Sequence, residues 1–197
     1  MRRVIFESSV SIDGFIEGPN GELDWLVGGH DCRSDVEAFF AAFDTIFCGR
    51  KAYEKMTLPS MLDPVLTEAD RQFYYQMHGI RKYVFSRTQK HVSGNGMVVS
   101  ENLEAEVMRI RNENGKDIWF CGGADILRTF AELDLVDEYV ITVHPVLLAR
   151  GTPLFAGNKK PGNLKLISKR DLKSGVVILH YRPENRLKQK DHADRSL

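Results

Sequence analysis

The chain has 197 residues, 43% of them hydrophobic and 27% charged, a composition that excludes disordered, collagen-like and coiled-coil chains. Its 27 basic residues balance 27 acidic ones, so no global field is available to hold a polyanion, and neither nucleic acid nor membrane is expected as a partner. A chain of this length buries roughly 70% of its unfolded surface and needs no metal or disulfide to sustain a core.

The cysteines agree with that. Cys32, Cys48 and Cys121 are odd in number and far apart, and the six histidines show no zinc-ligand spacing, so no disulfide framework and no metal site is expected. The apolar run Val4 to Phe6 is too short for a secretory signal, and no segment approaches the length of a membrane span. The expectation is a cytoplasmic protein.

In chain order, residues 3–9 read as a strand. About twenty irregular residues follow, with Gly at 14, 18, 21, 28 and 29 and Pro19; so long a loop inside a compact domain is more often functional than idle. Residues 34–37 have capping-box spacing, and Val36, Phe39, Phe40 and Phe43 share one helical face. Residues 45–48 form a strand that ends at Gly49-Arg50, with a short helix over 51–56. A turn region over 59–64 and a helix over 67–78 come next, then strands over 82–86 and 96–100. The amphipathic helix 103–114 closes at Gly115, which suits a left-handed C-terminal cap. Residues 118–121 are a strand running into Gly122-Gly123, followed by a helix over 124–133 and a strand over 138–144. Residues 164–172 and 176–182 flank Lys173-Ser174-Gly175 as a terminal hairpin. The expectation is eight strands in one α/β domain over residues 1–184, with a mostly parallel sheet and a polar, frayed tail over 185–197.

In an open parallel sheet, ligands bind beyond the carboxyl ends of the strands. Four segments fall there: Ser8-Ser9 with the glycine-rich loop, Gly49-Arg50-Lys51, Ser86-Arg87, and Gly122-Gly123-Ala124. Gly122-Gly123 between a strand and a helix start is either a cradle for phosphate or a tight packing turn. Arg50, Lys51 and Arg87 are either holders of a second anionic group, such as the 2′-phosphate that separates NADP from NAD, or solvated loop residues. Asp13 is a candidate acid or a turn residue before Gly14. Asp35 is a candidate acid or a charge at a helix N-terminus. Trp25 is a lid anchor or core. No GxGxxG, phosphate-loop or GxSxG motif is present.

Taken together, SVSIDGFIEGPNGELDWL, GRKAYE, YVFSRT, WFCGGADIL and DEYVITVHPVLLARGTPLF resemble the dihydrofolate reductase-like superfamily, and most of all the reductase domain of riboflavin biosynthesis, over residues 3 to 182. The resemblance implies a three-layer α/β fold: a mostly parallel eight-stranded sheet, helices on both faces and a C-terminal antiparallel hairpin. It implies an NADPH-dependent reductase of a small heterocyclic or carbonyl-type substrate, such as 5-amino-6-(5-phosphoribosylamino)uracil or dihydrofolate, working as a homodimer.

By position, Gly49, Arg50, Lys51 and Ala52 match the segment that binds cofactor phosphates. Ser86 and Arg87 match the 2′-phosphate site, and Gly122, Gly123, Ala124, Asp125, Ile126 and Leu127 the pyrophosphate turn. Val10 and Ile16 match positions flanking the nicotinamide, and residues 12–26 the active-site lid. Asp13, Asp35 and Trp25 are expected on the substrate side. Asp35 is the nearest match to the acid that contacts pterin in dihydrofolate reductases, with Asp31 as a rival. Phe15 stands where the riboflavin-pathway domains often carry a basic residue. The alternative is a protein that holds NADPH without turnover, as a sensor or interaction module.

Overall fold

The computed structural model describes residues 1–27, 40–57, 66–157 and 161–186. Within them the strands are β1 (Val4–Ser11), β2 (Phe15–Glu17), β3 (Phe43–Gly49), β4 (Arg81–Phe85), β5 (Gly96–Val99), β6 (Asp117–Cys121), β7 (Glu138–His144), β8 (Thr152–Pro153), β9 (Leu164–Asp171) and β10 (Val177–Pro183). The helices are α1 (Arg50–Thr57), α2 (Glu68–Gly79), α3 (Leu103–Arg111) and α4 (Ala124–Glu132).

The eight expected strands all join one sheet, in the order β5-β4-β3-β6-β1-β7-β10-β9. Pairing is parallel from β5 to β7 and antiparallel for β7-β10 and β10-β9. Side chains alternate between the two faces of each strand, and both faces are covered. On one face Val4, Phe6, Phe47, Ile118 and Phe120 pack with Val107 and Ile110 of α3 and Leu127 and Phe130 of α4. The Phe120 and Phe130 rings stack with centroids 4.3 Å apart. On the other face Ile46, Cys48, Val84 and Trp119 pack with Tyr53 of α1 and Met77 of α2. The result is a three-layer α/β sandwich. Each large apolar side chain buried there contributes about 1.5–3 kcal/mol.

Four local expectations change. Phe43 is not the end of a helical face but the first residue of β3, buried in the second core. Helix α3 stops at Arg111, and Gly115 is not left-handed. Glycine stands at 115 for space, because a Cβ there would lie 2.7 Å from the Asp44 carboxylate. The long loop after β1 is not irregular throughout, since β2 pairs with β8 in a second, two-stranded sheet. The capping box at 34–37, Gly28, Gly29, Asp31, Cys32, the turn at 59–64 and the tail beyond 186 lie outside the described residues.

Candidate active site

Because β4, β3, β6, β1 and β7 run parallel, their carboxyl ends share one edge of the sheet. Ser86, Gly49, Gly122, Ser11 and His144 stand at or just past those ends, in that spatial order. Five strands at about 4.8 Å spacing make this edge about 19 Å long.

The two glycines after β6 have different reasons to be glycine. At Gly122 a Cβ would lie 2.6 Å from Ile126 Cγ2, and at Gly49 it would touch the same methyl at 3.4 Å. Ile126 therefore seats α4 on the ends of β3 and β6, and Gly122 permits that contact. Gly123 is exposed and has φ −76° and ψ 175°, a conformation open to any residue, and a Cβ there would meet nothing within 4 Å. Neither backbone nor neighbour asks for glycine at 123. The position is also the N-cap of α4 and makes no side-chain cap, so the first-turn N–H groups face the edge without one. Ala124 and Leu127 are buried and fix the helix. Asp125 is exposed and pairs with Arg128 at 3.0 Å.

The cations gather one and two strands away. Gly49 and Phe85 are partners in the β3-β4 ladder, so Arg50 and Lys51 at the start of α1 neighbour Ser86 and Arg87. Lys51 and Arg87 are exposed. Arg50 lies against Glu54 one turn on, at 2.7 Å, and Ala52 packs against the second core. The Ser86 hydroxyl accepts the Gln89 N–H at 3.1 Å, shaping the turn that carries Arg87.

Residues 12–27 form a strap across the β1-β7 side of the edge. The Asp13 carboxylate accepts the Ser11 hydroxyl at 2.6 Å and the N–H groups of Leu148 and Ala149 at 3.2 and 2.7 Å. These bonds, the Ser11 one above all, hold its carboxyl below the usual carboxylate range. Glu17 joins Lys55 of α1 at 2.8 Å and Thr152 of β8 at 3.0 Å. Trp25 is buried, gives its indole N–H to the Glu22 carbonyl at 3.0 Å and sets its ring edge-on to His144. Val10 is buried in the first core, and Ile16 packs against it. Asp35 lies outside the described residues.

One acid on this side was absent from the sequence-based expectations. Ile5, Glu7, Ser9 and Ser11 share a face of β1, and Glu7 lies among Trp119 and Cys121 of β6. Burial pushes its carboxyl up to about 7, and the nearby Trp119 indole works against that rise. The Cys121 thiol is raised as well, by burial and then by the charges of Cys48 and Glu7. The available signal was the break in an otherwise apolar and serine-bearing strand. A central strand of a sheet covered on both faces leaves a glutamate little solvent to face, and Glu7 is half-buried.

The sequence model of the RibD C-terminal domain family matches residues 2–178. The chain belongs to that family. It is 39% identical over 182 residues to the uncharacterized protein YyaP of Bacillus subtilis, covering 91% of this chain and 94% of that one. Its structure is similar to that of a putative riboflavin biosynthesis protein from Shewanella sp. PV-4, with a TM-score of 0.73, 22% identity and coverage of 92% and 98%. It is also similar to dihydrofolate reductase from Enterococcus faecalis complexed with NADP(H), with a TM-score of 0.63, 13% identity and coverage of 92% and 96%. The fold is therefore that of the dihydrofolate reductase-like proteins, as the sequence motifs imply.

Among the described residues, no group of three or more His, Cys, Asp or Glu is placed to hold a metal ion, and no helix is long and apolar enough to cross a membrane. A hollow of about 380 Å³ lies at the other edge, between Met1, Glu104, Met108 and Arg186. It brings together no group suited to chemistry, and the Arg111 on its wall is already paired with Asp137 at 2.8 Å.

Proposed function

We propose that this chain is an NADPH-dependent oxidoreductase that reduces a small heterocyclic or carbonyl-type substrate at the carboxyl edge of its sheet. The observation that carries the reading is Gly123, a glycine with open space where its Cβ would be, at the uncapped start of α4, with the exposed Lys51 and Arg87 one and two strands away on the same edge. A backbone without a side chain beside free N–H groups fits a pyrophosphate. Membership of the RibD C-terminal domain family and the NADP(H) bound to the similar Enterococcus enzyme support the same cofactor.

The residues present fit that group. The Gly122–Leu127 turn would hold the pyrophosphate, Arg50 and Lys51 would bind phosphate, and Ser86 with Arg87 would take the 2′-phosphate. Val10 and Ile16 would flank the nicotinamide, which supplies a hydride when bound. Asp13 fixes the strap to the 148–149 turn and Trp25 roofs it, so that water is excluded from the reacting rings. Glu7 holds a proton on its carboxyl near neutral pH and is the group that protonates the reduced substrate. A sensor that bound NADPH without turnover would have no use for an acid kept near neutrality on this side. The exposed edge strand β9, with Leu164, Leu166 and Ile167 uncovered, supports a homodimer. The similarity to a riboflavin biosynthesis protein supports a cytoplasmic location.

Calorimetric titration with NADPH and NADH tests the reading. Two exposed charge-assisted contacts to the 2′-phosphate, at about 1.5 kcal/mol each, give roughly a hundredfold preference for NADPH. Gly123→Val should abolish binding at unchanged melting temperature, because the new side chain occupies ligand space only. Equal affinity for the two cofactors, or normal binding by the variant, sinks the proposal.

A further inference from the structure

Strands β4 and β5 are parallel neighbours, so the chain between them, residues 86–95, must return from the carboxyl edge of the sheet to its amino edge. Such crossovers usually carry a helix that holds their place, and this one has none. Of residues 87–95 only Val92 is not exposed, and it packs against the second core. Arg87, Lys90 and His91 stand in solvent. The returning arm is held from outside. Asn95 donates to the His78 carbonyl of α2 at 2.9 Å. Tyr53 of α1, 0% exposed, donates its hydroxyl to the Ser93 carbonyl at 2.6 Å and accepts the Gly96 N–H at 2.9 Å. The crossover is shaped around that ring: a Cβ at Gly94, where φ is +81°, would lie 3.0 Å from Tyr53 Oη, and one at Gly96 would lie 2.8 Å from the ring carbons. A phenylalanine would fill the same core volume, so packing does not account for the hydroxyl. Arg50 and Lys51 open the same helix one turn earlier. One hydroxyl therefore ties the helix that carries Arg50 and Lys51 to the crossover that carries Arg87.

We infer that Tyr53 is a positioning residue for cofactor selection, whose hydroxyl holds the 86–95 crossover in place beside α1 so that cations from both elements meet the 2′-phosphate together. The inference rests on the NADPH reading for the ligand. Tyr53 is wholly enclosed and touches no ligand itself. Its effect falls on one part of the cofactor. Arg50 and Lys51 belong to its own helix and keep their place without the hydroxyl, whereas Arg87, Lys90 and His91 ride on the crossover. A grip on one phosphate from two elements needs each of them within about 0.5 Å of its productive place. Without the hydroxyl, water can satisfy the exposed Ser93 carbonyl, so the crossover loosens and the fold survives. The hold on the 2′-phosphate should weaken far more than the hold on the rest of the nucleotide.

The test uses the full-length protein and two probes that differ by the 2′-phosphate alone, 2′,5′-ADP and 5′-AMP, titrated calorimetrically into the wild type and Tyr53→Phe. The wild type should prefer 2′,5′-ADP roughly a hundredfold. The variant should lose about tenfold of that preference, the equivalent of one charge-assisted contact, with 5′-AMP affinity held within about twofold. In the free proteins, amide exchange over residues 87–96 should be faster in the variant. Gly94→Ala, which presses a methyl on the same hydroxyl from the other side, should also reduce the preference. Added to Tyr53→Phe it should have little further effect, because the two substitutions break one link. Equal weakening of both probes, an unchanged preference in Tyr53→Phe, or full additivity of the two substitutions overturns the inference and leaves the hydroxyl a contact of the fold. Equal binding of the probes by the wild type defeats the NADPH reading and this inference with it. A wild-type preference that Tyr53→Phe retains defeats this inference alone.

Discussion

At the amino ends of the strands the charged groups are paired with one another: Arg2 with Asp44, Arg3 with Asp117 and Glu138, Arg81 with Glu113 at 3.1 Å, and Arg111 with Asp137 at 2.8 Å. At the carboxyl ends stand glycines, an uncapped helix start and the exposed Lys51 and Arg87, and the ion pairs on that side, Arg50–Glu54, Arg128–Asp125 and Lys55–Glu17, are all partly exposed. The same five strands thus end in two different ways. One edge uses its charges for folding, and the other keeps backbone and charge available to a ligand. Stability and binding should therefore separate on mutation, edge by edge.

The largest expected effect is at the amino edge. Glu138 is 2% exposed at its side chain and accepts from Arg3 at 3.0 Å, His180 at 2.8 Å and Arg182 at 2.5 Å. Burial raises its carboxyl, but the bonds from Arg182 and His180 and the charge of Arg3 outweigh it and leave the pKa below the ordinary value. Replacing it leaves the Arg3 and Arg182 guanidiniums without their shared buried acceptor, so Glu138→Ala should lose about 3–5 kcal/mol in urea denaturation at pH 7. NADPH affinity of the folded protein should not change. The stabilisation is present above the ordinary glutamate range and is lost as pH falls through the lowered pKa. A variant that folds normally but binds NADPH poorly would break the separation of the edges.

The eight long strands were legible in the sequence because each carries enough alternating or apolar residues to read as a strand, and because Gly-rich ends and helical patterns separate them. The strap was not. Strands β2 and β8 have three and two residues, and their pairing joins positions more than a hundred residues apart. Its requirement is visible only in space: Gly151 has φ +154°, and a Cβ there would collide with the Glu17 carbonyl. Gly122-Gly123 was ambiguous for a related reason, since Ile126 alone distinguishes the packing glycine from the free one. Glu7 escaped notice because a single glutamate in a strand reads as solvent-facing until the helices cover both faces.

The middle-sized effect belongs to Glu7, where a binding side costs stability. Its folded pKa of about 7 exceeds the ordinary 4.5. Its contribution is therefore complete below about pH 4.5 and is lost as pH rises toward 7. The side chain is partly exposed, so we expect a loss of about 2 kcal/mol rather than the full value of that shift. Urea denaturation at pH 5 and pH 8 should show this difference in the wild type and not in Glu7→Gln, which becomes the more stable protein at pH 8. Equal pH dependence in the two would remove Glu7 as the proton-holding acid and leave both edges tuned for folding alone.

The smallest effect sharpens the comparison most, because it concerns a contact on the binding side that should matter little to folding. Lys55 of α1 reaches the strap twice, at the Glu17 carboxylate and at the Gly21 carbonyl, 2.8 and 3.3 Å away. Its hydrogen bond is the main reason the Glu17 carboxyl is lowered. The lysine is 43% exposed, and exposed pairs are worth about 0.2–1 kcal/mol, so Lys55→Ala should change global stability by less than about 1 kcal/mol. The pair nevertheless ties the strap to the helix that begins at Arg50, and phosphate bound there should stiffen both. In the wild type, NADPH should slow amide hydrogen exchange across residues 12–26, well beyond the phosphate contacts. In Lys55→Ala the free protein should exchange faster over the same residues, and NADPH should protect them less. High salt, which screens an exposed pair, should move the wild type toward the variant. If the strap exchanges equally fast with and without cofactor, it is not a cover for the site, and Glu17–Lys55 is one more surface pair like those of the opposite edge.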